Sequence, residues 1–233
     1  MATPSEVERL QKVYREYDLR GFGRLKWSRA NKGNQVVRDE CQRRLRERLE
    51  TAGFFPLKNR RILDIGCGAG ERLAAFEGWG ALPENLFGID LIAERIHAAQ
   101  RNHPQINFEL GNAEELPFMD ETIDLITVFT VFTSILDHAM AANVCREIVR
   151  VLASGGAVAW YDFRMNNPLN RHVRGISRKQ IQKLFPGFKM HVESISLLPP
   201  LARRLGPLAN LLYPPLSSIP FLRSHNLGIL TKP

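Results

Sequence analysis

Gly66, Gly68 and Gly70 alternate through the stretch Asp64-Ile-Gly-Cys-Gly-Ala-Gly70, just behind the apolar residues Ile62, Leu63 and Ile65. An apolar run of this kind fits a buried parallel strand. Glycines remove the side chain where a backbone must turn sharply and where a ligand must come close. Leu73, Ala74 and Phe76 then follow at helical spacing. Strand, glycine turn and helix together hold a nucleotide-like ligand above the carboxyl end of a parallel sheet. A second acid, Asp90, ends the next apolar run, Leu86-Phe-Gly-Ile89. A carboxylate there can accept hydrogen bonds from both hydroxyls of a ribose. Asp90 also reads as the N-cap of the helix that follows, and one residue can do both.

The spacing selects among nucleotide ligands. A dinucleotide fingerprint needs its third glycine at position 71, which is Glu71. A diphosphate favours a helix N-terminus without competing carboxylates, and here Asp64 and Glu71 flank it. A cationic or zwitterionic ligand suits the site better. S-adenosylmethionine, with an ammonium, a sulfonium and no phosphate, fits. The competing reading is a strand, turn and helix with no ligand.

Methyl transfer from a sulfonium is a displacement at carbon that disperses charge, so alignment in an apolar pocket supplies much of the acceleration, about 7–11 kcal/mol in well-oriented cases. An oxygen acceptor also needs a proton removed, typically worth roughly 10²–10⁴-fold. The residues for this task should lie beyond the fourth and fifth strands. Asp137 and His138 are one candidate pair, although Asp137 reads equally as a helix cap and His138 as a first turn. Tyr161 and Asp162 end the fifth strand, and Asp162 could orient a hydroxyl or act as a turn acid. Thr130, Phe132 and Thr133 read chiefly as shaping the mouth. Arg171 and His172 lie in the next loop, where basic residues are common.

These residues require a doubly wound sheet to position them. Strands are predicted at 86–90, 106–110, 123–129 and 157–163, alternating with helices at 93–102 and 137–152. The apolar run Ile123–Phe129 is of the parallel, doubly covered kind. Ser154-Gly155-Gly156 reads as the turn into the fifth strand. Ahead of the sheet, residues 4–18 and 35–52 read as helices separated by a Gly21-Phe22-Gly23 break and a loop from Leu25 to Gly33. This N-terminal part, residues 1–58, is expected to be a helical cover placed near the ligand mouth, with residues 59–233 forming the catalytic domain. Residues 199–221 stand out: Leu201, Leu205, Leu208 and Leu212 share a helical stripe, Pro207 interrupts it, and Pro214-Pro215 and Pro220 are expected to break the chain. An insert packed on the domain, a lid over an acyl or lipid-linked acceptor, and a helix making peripheral membrane contact are the three readings.

Composition narrows the class. A chain of 233 residues with a hydrophobic fraction of 44% can bury a full core. Its three cysteines, Cys41, Cys67 and Cys145, are far apart and form no metal-ligand pattern, so no metal and no disulfide framework is expected. Met1–Leu19 is charged throughout, unlike a secretory leader, and no apolar run nears the roughly 20 residues that span a bilayer. The expectation is a cytoplasmic protein. Of the net charge of +8, residues 1–60 contribute +7, from 15 Lys/Arg against 8 Asp/Glu. Such a segment attracts anionic partners or is a solvated helix face.

With these residues in place, the chain resembles a class I S-adenosylmethionine-dependent methyltransferase of the type 11 group, most clearly over residues 60–165. Asp64 to Gly70 resembles the first family motif, which implies that Asp64, Gly66, Cys67, Gly68 and Gly70 surround the methionine part of the cofactor. Gly88-Ile-Asp-Leu91 resembles the second, with Asp90 on the ribose and Leu91 beside it. Gly111-Asn-Ala-Glu-Glu-Leu-Pro-Phe118 resembles a motif whose acid contacts the adenine amino group; Asn112 stands in place of that acid, with Ala113 and Glu114 after it. Phe129 at the end of strand four completes the implied cofactor set. Arg150-Val-Leu-Ala-Ser-Gly-Gly156 resembles the turn before strand five, with Ser154 where proline is usual. Trp160 to Arg164, Asn166 to Asn170, Val173 to Gly175 and Leu184 to Gly187 look like a bacterial subgroup found beside polysaccharide-biosynthesis genes.

The resemblance implies a Rossmann-like α/β sheet of seven strands, the last antiparallel, with His225–Thr231 as that strand and Lys189–Leu198 as its partner. It implies S-adenosylmethionine as cofactor, S-adenosylhomocysteine as product, and O-methylation of a small molecule or glycan, lipid-linked in one version. The alternatives are an RNA methyltransferase using the basic N-terminal segment, against which no N-P-P-Y motif or aromatic-basic repeat appears, and a non-catalytic S-adenosylmethionine-binding regulator. Oligomeric state is not legible.

Overall fold

The computed structural model describes residues 5–19, 28, 30–168 and 170–233. The Gly21-Phe22-Gly23 break, residues 25–27 and 29 of the Leu25–Gly33 loop, and Leu169 lie outside the described residues. Seven strands form one sheet in the order β3-β2-β1-β4-β5-β7-β6. They are β1 (Ile62–Ile65), β2 (Leu86–Asp90), β3 (Asn107–Leu110), β4 (Ile123–Phe129), β5 (Leu152–Phe163), β6 (Lys189–Leu197) and β7 (Arg223–Thr231). Strands β1 to β5 pair in parallel, and β7 runs antiparallel to both of its neighbours, β5 and β6. The sheet order reverses direction at β1, where the chain passes from β1–β2–β3 on one side to β4 on the other, and a ligand crevice opens at such a switch point.

Alternation along the strands divides the core in two. Leu63, Ile65, Ile126, Val128, Val158 and Trp160 face a core completed by Leu10 of helix α1 (Glu6–Leu19), by Val144 and Ile148 of α5 (His138–Val151) and by Ile181 of α6 (Arg178–Leu184). Ile62, Leu125, Ala157, Ala159 and Ile229 face the other core, completed by Leu45 and Leu49 of α2 (Lys32–Thr51), by Leu73 and Phe76 of α3 (Glu71–Gly78) and by Ile96 and Ala99 of α4 (Ala93–Asn102). Helices α1 and α2 thus do not form one layer: they are built into opposite faces of the same sheet.

Three local features differ from the sequence reading. Helix α2 starts at Lys32 rather than Gln35, because the Asn31 side chain caps it by accepting the Asn34 N–H at 3.1 Å. Strand β5 starts at Leu152, running through the expected turn; Gly155 takes a φ of +71° and the register against β4 shifts between Ile123 and Leu125. Pro214 and Pro215 lie inside helix α8 (Ala209–Ser218) instead of ending it. The Ser217 and Ser218 hydroxyls donate to the Pro214 and Pro215 carbonyls at 3.1 and 2.7 Å, and the Tyr213 hydroxyl ties the helix to Glu40 at 2.6 Å. The leucine stripe is divided, with Leu201 in α7 (Pro199–Arg204), Leu208 in the turn Gly206–Leu208 and Leu212 in α8. No helix among the described residues is long and apolar enough to cross a membrane.

Candidate active site

The glycine turn is stitched to the end of β2. The N–H groups of Gly66 and Cys67 both donate to the Ile89 carbonyl, at 2.8 and 3.1 Å, and the Gly68 N–H donates to Asp90 Oδ2 at 2.9 Å. Those three amides are therefore not turned toward a ligand, as the amides of a diphosphate cradle would be. Gly66, Gly68 and Gly70 have φ of +72°, +55° and +86°, the left-handed region. Their surroundings differ. A Cβ on Gly70 would lie 2.5 Å from the Phe108 ring, whereas one on Gly68 would meet nothing within 4 Å.

Asp90 is 6% exposed and burial raises its pKa, opposed by Arg95 and by its two backbone bonds. Oδ1 accepts the Ile92 N–H at 2.9 Å and Oδ2 that of Gly68. Each oxygen keeps further acceptor capacity, so both can serve a diol.

A cavity opens at the carboxyl ends of β1, β2 and β4. Ile65, Gly66, Asp90, Leu91, Asn112, Ala113 and Phe129 form one part of its wall, and Val131, Ile135, Met140 and Val144 form an apolar part. Of the residues assigned to the cofactor from sequence, Gly66, Asp90, Leu91, Asn112, Ala113 and Phe129 meet there. The others lie outside the lining. Asp64 is buried behind the glycine turn, where it accepts a hydrogen bond from Thr127 Oγ1 and faces Arg72 Nε at 3.7 Å. Burial pushes its pKa up to about 6, against the pull of Arg72. Arg72 in turn stacks 3.3 Å over the Phe129 ring. Glu114 receives hydrogen bonds from Asn112 Nδ2 at 3.1 Å and Asn143 Nδ2 at 2.8 Å. Asn112 Oδ1 accepts the Glu114 N–H at 3.1 Å, which fixes the amide in the wall.

Helix α1 closes the cavity with Leu10 and Tyr14. The Tyr14 hydroxyl is 2.7 Å from Ser134 Oγ, and Arg95 lies 4.5 Å over its ring. Ser134 Oγ donates to the Thr130 carbonyl at 3.1 Å, so Tyr14 is the donor in the first bond. Glu6 Oε1 accepts the Leu136 N–H at 2.6 Å, and Arg9 donates to the Ser134 carbonyl at 2.6 Å. Leu10, Tyr14, Arg95 and Ser134 were not assigned to the site from sequence. Leu10 and Tyr14 do belong to the apolar stripe of the first helix, but a stripe does not say which part of a sheet it covers.

The four residues considered for acceptor chemistry do not line this cavity. Asp137 caps α5 by accepting the Met140 N–H at 2.7 Å. His138 is exposed, and its Nε2 lies 3.2 Å from Arg174 Nη1; arginine only donates, so Nε2 accepts. Tyr161 is buried, with its hydroxyl 2.9 Å from Ser196 Oγ and its ring stacked 4.4 Å from His225. Asp162 is wholly buried and accepts the Thr133 N–H at 3.0 Å; burial pushes its pKa up to about 8. Thr130 carries a φ of +57°, backbone strain at the rim.

Sheet order, glycine turn and strand-end carboxylate define the class I S-adenosylmethionine-dependent methyltransferase fold. Residues 62–156 match the family model described as "Methyltransferase domain". Phthiotriol/phenolphthiotriol dimycocerosates methyltransferase 1 of Mycobacterium ulcerans is 32% identical over 136 residues, which are 58% of this chain and 49% of that protein. Fatty-acid O-methyltransferase of Mycolicibacterium smegmatis is 29% identical over 136 residues, 58% of this chain and 48% of that protein. The chain spans about half the length of these relatives. Among solved structures, YcgJ of Bacillus subtilis superposes with a TM-score of 0.57 at 22% identity, covering 81% of this chain and 97% of that one. The [4+2]-cyclase SpnF superposes with a TM-score of 0.69 at 18% identity, covering 100% and 98%. A cyclase on this fold is a reminder that the fold alone does not define the reaction.

The wall fits the cofactor of the family, S-adenosylmethionine. Asp90 has acceptor capacity on both oxygens for a ribose, and the position above Gly68 is open to close approach.

Proposed function

We propose that this chain methylates an oxygen of a small, largely apolar acceptor, a lipid or a lipid-linked glycan. The observation that carries this reading is the cavity itself, where Asp90 and Asn112 stand beside Leu10, Val131, Ile135, Met140 and Val144. When bound, S-adenosylmethionine supplies a methyl group activated by its sulfonium. The chain's part is to hold and to exclude. Asp90 takes the ribose hydroxyls, while Gly66 and Gly68 let the methionine portion approach the backbone. Asn112, Ala113 and Phe129 would face the adenine. The apolar residues keep water from competing with the acceptor and suit a transition state of dispersed charge.

Two of the relatives carry names of lipid-related methyltransferases, and these support an acceptor of that class here. For the proton, the exposed His138, two residues before Met140 of the wall, is the candidate, and its accepting Nε2 is available once Arg174 moves aside. Tyr161 and Asp162 act from behind the wall: Asp162 fixes the Thr133 amide and Tyr161 supports Phe129, against which it stacks at 5.3 Å.

The test is incubation with methyl-labelled cofactor and three acceptor pools: free fatty acids, a lipid extract containing lipid-linked glycans, and total RNA. Label in either lipid pool supports the reading. Label in RNA alone overturns it, and tight cofactor binding without label in any pool points to a regulator.

A further inference from the structure

Residues 205–222 run Leu-Gly-Pro-Leu-Ala-Asn-Leu-Leu-Tyr-Pro-Pro-Leu-Ser-Ser-Ile-Pro-Phe-Leu, 18 residues without a charge. Arg203 and Arg204 precede the run and Arg223 follows it. After Glu193 the sequence contains no acid at all, while Arg203, Arg204, Arg223 and Lys232 are all cationic. The acid that does reach the segment, Glu40, is turned inward, accepting from the Tyr213 hydroxyl at 2.6 Å and the Ser196 N–H at 3.0 Å.

Packing uses only one side of the segment. Ala209 and Tyr213 of α8 are buried, and Tyr213 joins Val37, Leu197 and Ala202 in a small satellite core. The opposite side is not covered. Leu208 is 56% exposed, Leu211 70% and Leu212 36%, and the following turn leaves Phe221 71% exposed. Leu208, Leu211, Leu212 and Pro215 are spaced as one helix face. A cluster of large apolar side chains in water marks a contact surface.

Topology sets where this surface lies. Strand β6 runs in the same direction as β5, since both are antiparallel to β7. Its last residue, Leu197, is therefore at the carboxyl edge of the sheet, the edge at which the cavity beside Asp90 opens. The apolar segment rises from that edge.

We propose that residues 205–222 are a surface anchor for an anionic phospholipid bilayer. Leu208, Leu211, Leu212 and Phe221 enter the interface between headgroups and acyl chains, and the flanking arginines, Arg204 foremost because it is exposed, meet the phosphates. An uncharged apolar face bounded by cations is the pattern for a helix lying on, not crossing, a charged membrane. A second copy of this chain would satisfy the leucines but would bring the same arginines against each other. The anchor stands independently of the acceptor's identity, because it concerns bilayer binding without cofactor or acceptor.

The test is co-sedimentation of the full chain with vesicles of phosphatidylcholine alone or mixed with phosphatidylglycerol, for wild type, the double variant Leu211→Glu/Phe221→Glu, and Arg204→Glu. All three sites are exposed, so unchanged thermal melting should verify folding. Wild type should bind the anionic vesicles in preference to the neutral ones. The double variant should lose about tenfold or more in partitioning. Arg204→Glu should lose roughly fivefold on the anionic vesicles only. No binding by wild type, equal binding to both compositions, or a folded double variant that binds like wild type would overturn the proposal. So would a wild-type dimer, monomeric in the double variant, that ignores vesicles.

Discussion

The Gly68 amide donates to Asp90 Oδ2 at 2.9 Å, joining the turn after β1 to the acid that ends β2. Two motifs that lie 22 residues apart thus form one rigid piece. With the Ile92 N–H on Oδ1, the bond fixes the carboxylate in the cavity wall.

Asp90→Asn should therefore weaken the cofactor site, with some loss of stability because its NH₂ must face the Gly68 or the Ile92 N–H. The amide keeps one oxygen acceptor and nearly the same volume, but it places an NH₂ where an oxygen accepted. Hydrogen bonds to a charged partner contribute about 1.5–3 kcal/mol each. The one lost ribose contact should weaken S-adenosylhomocysteine binding by roughly ten- to a hundredfold, read by titration calorimetry. Affinity within a few-fold of wild type would mean that the ribose is held elsewhere.

Two glycines of the turn should fail in opposite ways. Gly70→Ala drives a methyl group to 2.5 Å from the Phe108 ring at a φ of +86°, so the melting temperature should fall clearly. Gly68→Ala meets no atom within 4 Å and keeps only the left-handed strain, about 1–2 kcal/mol. Its new methyl would lie where the proposed function brings the methionine portion against the backbone. Gly68→Ala should melt near wild type and bind the product poorly, whereas Gly70→Ala should show the larger loss of stability.

Tyr14 should matter through its ring more than through its hydroxyl. Tyr14→Phe keeps the ring under Arg95 and loses one bond to Ser134, a change of about 1 kcal/mol in stability. Tyr14→Ala removes the cavity wall and the contact with Arg95, and product affinity should fall much further than in the phenylalanine variant. Equal affinities for the two variants would show that α1 does not close on the ligand.

His225 should set an acid limit on stability. It is 2% exposed, between the rings of Tyr161 and Phe163, and burial lowers its pKa to about 3 from an ordinary 6.5. The folded chain therefore keeps His225 neutral while the unfolded chain takes up a proton. Its contribution is complete above pH 6.5 and is lost as pH falls from 6.5 toward 3, at about 1.4 kcal/mol per pH unit. Asp64 and Asp162 act in the opposite sense, because their raised values make stability fall as pH rises from near 4 to about 6 and about 8. Both remain in His225→Phe, so the difference in unfolding free energy between variant and wild type isolates the imidazole. That difference should move in favour of the variant as pH drops below 6.5. A difference independent of pH would mean that His225 titrates normally.

The strand pattern was legible because each strand states its own burial. Ile123–Phe129 is apolar except for Asp124 and Thr127, and it forms a strand with those bounds at the middle of the sheet. The glycine spacing and Glu71 pointed away from a diphosphate, and the structure supplies the reason in the amides bound to Ile89 and Asp90. Local sequence also implied that Asp137 could cap a helix, since an N-cap needs only the next three residues.

Contacts between distant segments were not legible. The stripe Leu10–Tyr14 is apolar in sequence, yet only the packed chain puts it over the cavity and sends α2 to the opposite face. Tyr161 and Asp162 stand at a strand end, where a sequence places both catalytic and buried residues; the partners Ser196, His225 and Thr133 decide that these two are interior. The proline pair of α8 was a local breaker overruled by its anchorage to Glu40, 173 residues from Tyr213. Backbone geometry and burial are written residue by residue, whereas which face meets which, and so which side chains share a cavity, depends on a sum of contacts across the whole sheet.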